Sequence, residues 1–176
     1  MKPVVIVMGV TASGKTTVAK LLAERLQCPF LEGDDLHSPA NRRKLSEGIP
    51  LTDEDRLPWL QSIGEWIHER QEKDESGTVS CSALRHAYRD RLRANHRNAC
   101  FVFLNGDRKI LEERLKNRKG HFVSPSLLTS QLETLEPPRD DERAVSIPLD
   151  ITPEEQCDRV IAWLNDSPCF NDVPAS

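Results

Sequence analysis

Residues 9–16 read GVTASGKT, and this octet constrains the fold more than any other stretch of the chain. It meets the pattern GxxxxGK[ST], a turn of backbone amides that must follow a strand and open a helix if it is to surround an anion. Both contexts are present. The β-branched run VVIVM at 4–8 reads as a strand leading in, and Val18, Leu21, Leu22 and Leu26 share one helical face of Thr16 to Leu26 leading out. Gly9 and Gly14 permit backbone angles that other residues resist, so the amides of Gly9, Val10, Thr11, Ala12, Ser13 and Gly14 can turn inward on phosphate oxygens. Lys15 adds a point charge at the β and γ phosphates, the Thr16 hydroxyl is the expected Mg2+ ligand, and Thr17 can donate one more hydrogen bond.

The rest of the chain repeats the strand-then-helix rhythm. TVSC at 78–81 and CFVFL at 100–104 read as strands, PFLE at 29–32 as a shorter one, and Ser146 to Leu149 as a fifth weakened by Pro148. Helix starts lie at Ser38-Pro39, at Thr52 before Asp53, Glu54 and Asp55, and at Thr152-Pro153 with Glu155 closing a capping box. Alternation of this kind predicts an α/β protein in three layers, a parallel sheet of four or five strands flanked by helices. One domain over 1–165 is expected, followed by an aperiodic, flexible tail over 166–176.

Composition narrows the function. A formal charge of −4 argues against a general binder of nucleic acid or anionic membrane, and no apolar run is long enough to cross a bilayer. Five cysteines without a CxxC pair suit neither a disulfide framework nor a zinc site, so a cytoplasmic setting is expected. The chain shows neither a DxxG stretch nor an NKxD-like guanine reader, and it is small for an ATP-driven motor. Phosphoryl transfer to a metabolite remains. Glu32-Gly33-Asp34-Asp35-Leu36-His37 follows the second strand, at the strand end where open α/β sheets bind ligands. Asp34 is the candidate to accept or orient the proton of an attacking hydroxyl. No clear Walker B aspartate is evident, which leaves water or Asp34 to complete the metal shell.

Three ordered blocks carry a family resemblance. GDDLHSPANRRKLSEGIPLTDEDRLPWL at 33–60, CSALRHAYRDRLR at 81–93 and GHFVSPSLLTSQLETLEPP at 120–138 resemble the gluconokinases. The resemblance implies a P-loop NTPase fold of the shikimate and adenylate kinase type, ATP with Mg2+ as donor, D-gluconate as acceptor, 6-phospho-D-gluconate as product, and a homodimer. The chain departs from the family pattern at Thr11-Ala12, Leu45, Arg85 and Val123. Ala12 stands where Gly is commoner, so this position must avoid positive φ or tolerate strain.

Gluconate carries a carboxylate, and the moving phosphoryl group spreads negative charge over its oxygens, so arginine forks suit both. Arg56 and Arg89 are candidates for the gluconate carboxylate or hydroxyls, with His37 and Ser82 as further acceptor contacts. Arg114, Lys116, Arg118 and Lys119 mark a lid within about 114–130. Arg114 and Arg118 are its candidate nucleotide contacts, Arg118 the one with a catalytic part, and His121 is a candidate to face the substrate.

Overall fold

A computed structural model describes residues 1–118, 124–167 and 170. Its centre is strand β1 (Val4–Met8), buried along its whole length because it is hydrogen-bonded on both sides, to β3 (Gly77–Ser80) and to β4 (Ala99–Asn105). β2 (Phe30–Glu32) and β5 (Ala144–Pro148) complete a five-stranded sheet of order β2-β3-β1-β4-β5, parallel throughout. β5 is an edge strand and Pro148 is its last residue, so the missing N–H breaks no interior ladder.

Side-chain alternation along β1 divides the core. Val5 and Val7 join the helix α1 (Lys15–Leu26), with Leu111 of α5 (Arg108–Asn117), Leu128 of α6 (Pro125–Thr134) and Val160 and Leu164 of α7 (Pro153–Asp166). Val4, Ile6 and Met8 face the other way, onto Trp59, Ile63 and Ile67 of α3 (Asp53–Glu72) and Tyr88 and Leu92 of α4 (His86–Arg93). Burial of each such side chain contributes about 1.5–3 kcal/mol. Helices therefore cover both faces, and all five strands point their carboxyl ends at one edge.

The helix starts fall where capping chemistry puts them. Ser38 caps α2 (Pro39–Ser46), and Thr52 and Thr152 form complete capping boxes with Asp55 and Glu155. Arg114 and Lys116 stand inside α5 and Arg118 caps its end, while Lys119 lies outside the described residues. In the stretch expected as a tail, Phe170 is buried in the α1–α7 core beneath the Arg143 guanidinium.

Arg89 is committed to internal partners. It is fully buried and forms an ion pair with Glu142, itself without solvent exposure. Its remaining donors go to the carbonyls of Ala83 at 2.8 Å and Glu136 at 2.9 Å. Burial alone would raise the Glu142 carboxyl, but hydrogen bonds from Arg89, His86 and the Arg139 N–H hold it below the ordinary glutamate value. The pair fastens α4 to the segment that leads into β5. Replacing one partner leaves an uncompensated buried charge, so Arg89→Met is expected to lower the free energy of urea unfolding by about 3–5 kcal/mol. Adding Glu142→Leu should recover much of the loss, and a single variant within about 1 kcal/mol of wild type contradicts this assignment.

Candidate active site

The phosphate loop occupies the turn between β1 and α1. Gly9 adopts φ +146, and a Cβ there would lie 2.8 Å from the Ser13 hydroxyl and 3.0 Å from the Leu104 carbonyl, so the position takes no larger residue. Ala12 sits at φ +65, which means that this chain tolerates the strain of a left-handed alanine at a cost of about 1–2 kcal/mol. Gly14 is the N-cap of α1 and no side chain caps that helix, so its first-turn amides are available to phosphate oxygens.

Thr11, Ala12, Gly14, Lys15, Thr16, Thr17, Asp34, Arg114 and Arg118 line one cavity of about 340 Å3. This brings together the phosphate-loop lysine and threonine, the acceptor-side aspartate and both arginines predicted from the sequence. Lys15 Nζ donates to the Val10 carbonyl at 3.0 Å. Burial lowers the pKa of its ammonium group, Arg118 pushes the same way, and Asp34, Cys81 and Glu32 oppose. A triphosphate in the cavity would add strong negative charge and favour the protonated form.

Asp34 belongs to a short 3₁₀ turn, Gly33–Leu36, that follows β2 directly. The turn is tight against β3, since a Cβ on Gly33 would lie 2.2 Å from the Ser80 carbonyl. The indole N–H of Trp59 donates to the Gly33 carbonyl at 2.7 Å, so this buried core residue also sets the height of the Asp34 backbone. The Asp34 side chain is 72% exposed at the cavity mouth, yet the surrounding walls raise its pKa above the ordinary aspartate value, with Lys15 opposing and Glu32 and Asp35 adding to the rise.

Glu32, to which the sequence assigned no role, also stands beside the phosphate loop. Its carboxylate accepts the Thr16 hydroxyl at 2.6 Å and the hydroxyl of Ser80, its register partner on β3. Thr16, Glu32 and Asp34 thus offer only oxygen donors beside the phosphate loop, the set a hard divalent cation such as Mg2+ takes. The available signal was positional, a carboxylate ending a parallel strand one residue before the Gly33–Leu36 turn.

Arg114 reaches back from α5 to the loop, donating to the carbonyls of Ala12 at 3.4 Å and Ser13 at 3.2 Å, and to Leu149 at 2.8 Å. Arg118 adds a second cation to the cavity wall. Val10 serves through its carbonyl, and the Ser82 carbonyl accepts the Gly9 N–H at 3.4 Å, so Ser82 abuts the loop from the end of β3. Cys81, beside it, is buried with its thiol pushed up to about 12, which leaves it unreactive at neutral pH. His121 lies outside the described residues.

On the acceptor side, His37 is 7% exposed and stacks on Trp59 with ring centroids 4.4 Å apart. Its Nδ1 has no partner among the described residues, and its Nε2 lies 3.9 Å from the Asp34 carboxylate. Burial, with Arg56 and Arg42, pushes its pKa down to about 4, so the ring is neutral at pH 7. Arg56 stands over the Tyr88 ring at 5.5 Å and donates to the Leu51 carbonyl at 3.4 Å.

Comparison with known proteins fits this geometry. A family profile described as an AAA domain matches residues 4–138. A gluconokinase from Gluconobacter oxydans (strain 621H) is 47% identical over 142 residues, covering 81% of this chain and 80% of that one. A gluconokinase from Sinorhizobium meliloti 1021 superposes with a TM-score of 0.82 at 48% identity, over 92% of this chain and 90% of that one. An unliganded sugar kinase from Janibacter sp. HTCC2649 gives a TM-score of 0.89 at 42% identity, over 97% and 98% of the two chains.

The His37 shift has a signed consequence for stability. Between pH 6.5 and about 4 the unfolded chain binds a proton on this ring and the folded chain does not, so stability falls as pH is lowered through that window. The loss amounts to on the order of 3 kcal/mol. His37→Gln is expected to flatten this limb when urea unfolding is compared at pH 7 and pH 4.5, and an unchanged acid limb contradicts the assignment.

Proposed function

We propose that this chain, which belongs to the gluconokinase family, transfers the γ-phosphoryl group of ATP to the terminal hydroxyl of D-gluconate, yielding 6-phospho-D-gluconate and ADP. The observation that carries this reading is the single cavity in which Lys15, Thr16 and Asp34 stand together with Arg114 and Arg118. In the transfer, the bond between the γ phosphorus and the β–γ bridging oxygen breaks while one forms to the acceptor oxygen. The acceptor's proton passes to Asp34.

Each residue follows from the charge it meets. The uncapped first turn of α1 and Lys15 hold the β and γ phosphates. Thr16, with Glu32 behind it, is the place for Mg2+, which when bound neutralises phosphate charge. Asp34 aligns the attacking hydroxyl and accepts its proton. In a loose phosphoryl-transfer transition state this alignment outweighs basicity. Arg118 balances charge on the moving phosphoryl oxygens. Neutral His37 suits a gluconate hydroxyl, and Arg56 beside it suits the carboxylate.

The expected outcome of a coupled assay with ATP and Mg2+ is turnover with D-gluconate at least a hundredfold above that with shikimate or AMP. Turnover on one of those acceptors in place of gluconate, or ATP binding with no gluconate turnover, would sink the acceptor assignment.

A further inference from the structure

The block at 120–138 carries part of the family resemblance, yet nothing in the reaction above uses Gln131 or Glu136. Leu128, Leu132 and Leu135 recur at helical spacing along α6 and its end and pack on the α1–α7 face of the core, where Ala12 of the phosphate loop packs as well. Gln131 stands three residues after Leu128, on the side of the helix turned toward that loop. Its side-chain oxygen accepts the Thr11 N–H at 2.6 Å, so this amide points to α6 and not to the phosphate cradle as the sequence suggested.

Thr11 and Ala12 are the central residues of a tight turn that the Ser13 N–H closes onto the Val10 carbonyl at 3.2 Å. A positive φ at the third residue of such a turn is a position glycine usually fills, and here it is Ala12. This strained turn is held from two sides, by Gln131 on the N–H of Thr11 and by Arg114 on the carbonyls of Ala12 and Ser13. The residue that follows the C-cap of α6 is also fixed. The Glu136 N–H donates to the Leu84 carbonyl at 2.8 Å, and the Glu136 carboxylate accepts the His86 N–H at 2.6 Å. Arg89 adds its bond to the Glu136 carbonyl. The C-terminal end of α6 is therefore tied both to the apex of the phosphate loop and to the loop after β3.

We propose that Gln131 is a positioning residue for nucleotide binding: its hydrogen bond to Thr11 holds the Ala12 turn in the left-handed form that the phosphate cradle requires. The inference rests on the kinase reading for the identity of the nucleotide. It is tested by direct binding, which does not depend on gluconate being the acceptor.

Gln131→Met keeps the length of the side chain and removes the acceptor. The dissociation constant for a non-hydrolysable ATP analogue, read by titration calorimetry, is expected to rise about three- to tenfold, the loss of one hydrogen bond. The KM for gluconate should stay within about twofold. Thr11→Pro removes the donor at a turn position that accepts proline, and in that background Gln131→Met should change analogue affinity less than twofold. An analogue affinity within twofold of wild type in the single Gln131→Met variant, a parallel rise in the gluconate KM, or a full-sized effect persisting beside Thr11→Pro overturns the proposal.

Discussion

The hydrogen bonding of β1 on both sides, to β3 and β4 in parallel register, is the constraint on which the site depends. It buries a five-residue apolar strand between two helical layers and sends the chain out of the sheet at Gly9. Because the whole sheet is parallel, β2 and β3 end at the same edge, and their ends deliver Glu32, Asp34 and Ser82 to the phosphate loop. Ligand binding at that edge follows from topology before any side chain is considered.

Charge is then distributed locally and not by the net balance. The chain is acidic overall, yet Lys15, Arg114 and Arg118 face the cavity that receives phosphate, and Asp34 stands at its mouth. The rest of the site is made rigid from behind. Trp59 fixes Gly33, Arg114 holds loop carbonyls, and the buried Arg89–Glu142 pair ties α4 to the approach to β5. A transfer that relies on alignment more than on basicity needs this rigidity, because a hydroxyl displaced by about 1 Å can cost about a hundredfold in rate.

The phosphate loop, the strand sequence and the helix starts were legible because each rests on a local rule: GVTASGKT, β-branched runs, and the capping residues Ser38, Thr52 and Thr152. The position of Asp34 beside the phosphate loop was legible from its place after a strand. The roles that escaped are those set by distant partners. Arg89 looks like an acceptor contact until Glu142, 53 residues away, is seen to neutralise it. Glu32 gains its meaning only when β2 registers with β3 and turns its carboxylate to Thr16 and Ser80. The strain at Ala12 was foreseeable as an alternative, but the sign of φ was decided by the turn and by contacts from α5 and α6.

We infer that the cavity aligns a hydroxyl on Asp34 against a phosphate held by the loop and Lys15. The most direct measurement is the kcat of Asp34→Asn for gluconate phosphorylation, taken with the dissociation constant of an ATP analogue for the same variant. A fall in kcat of about 10²–10⁴-fold is expected, with analogue affinity within about threefold of wild type. A kcat within about fivefold of wild type would contradict it.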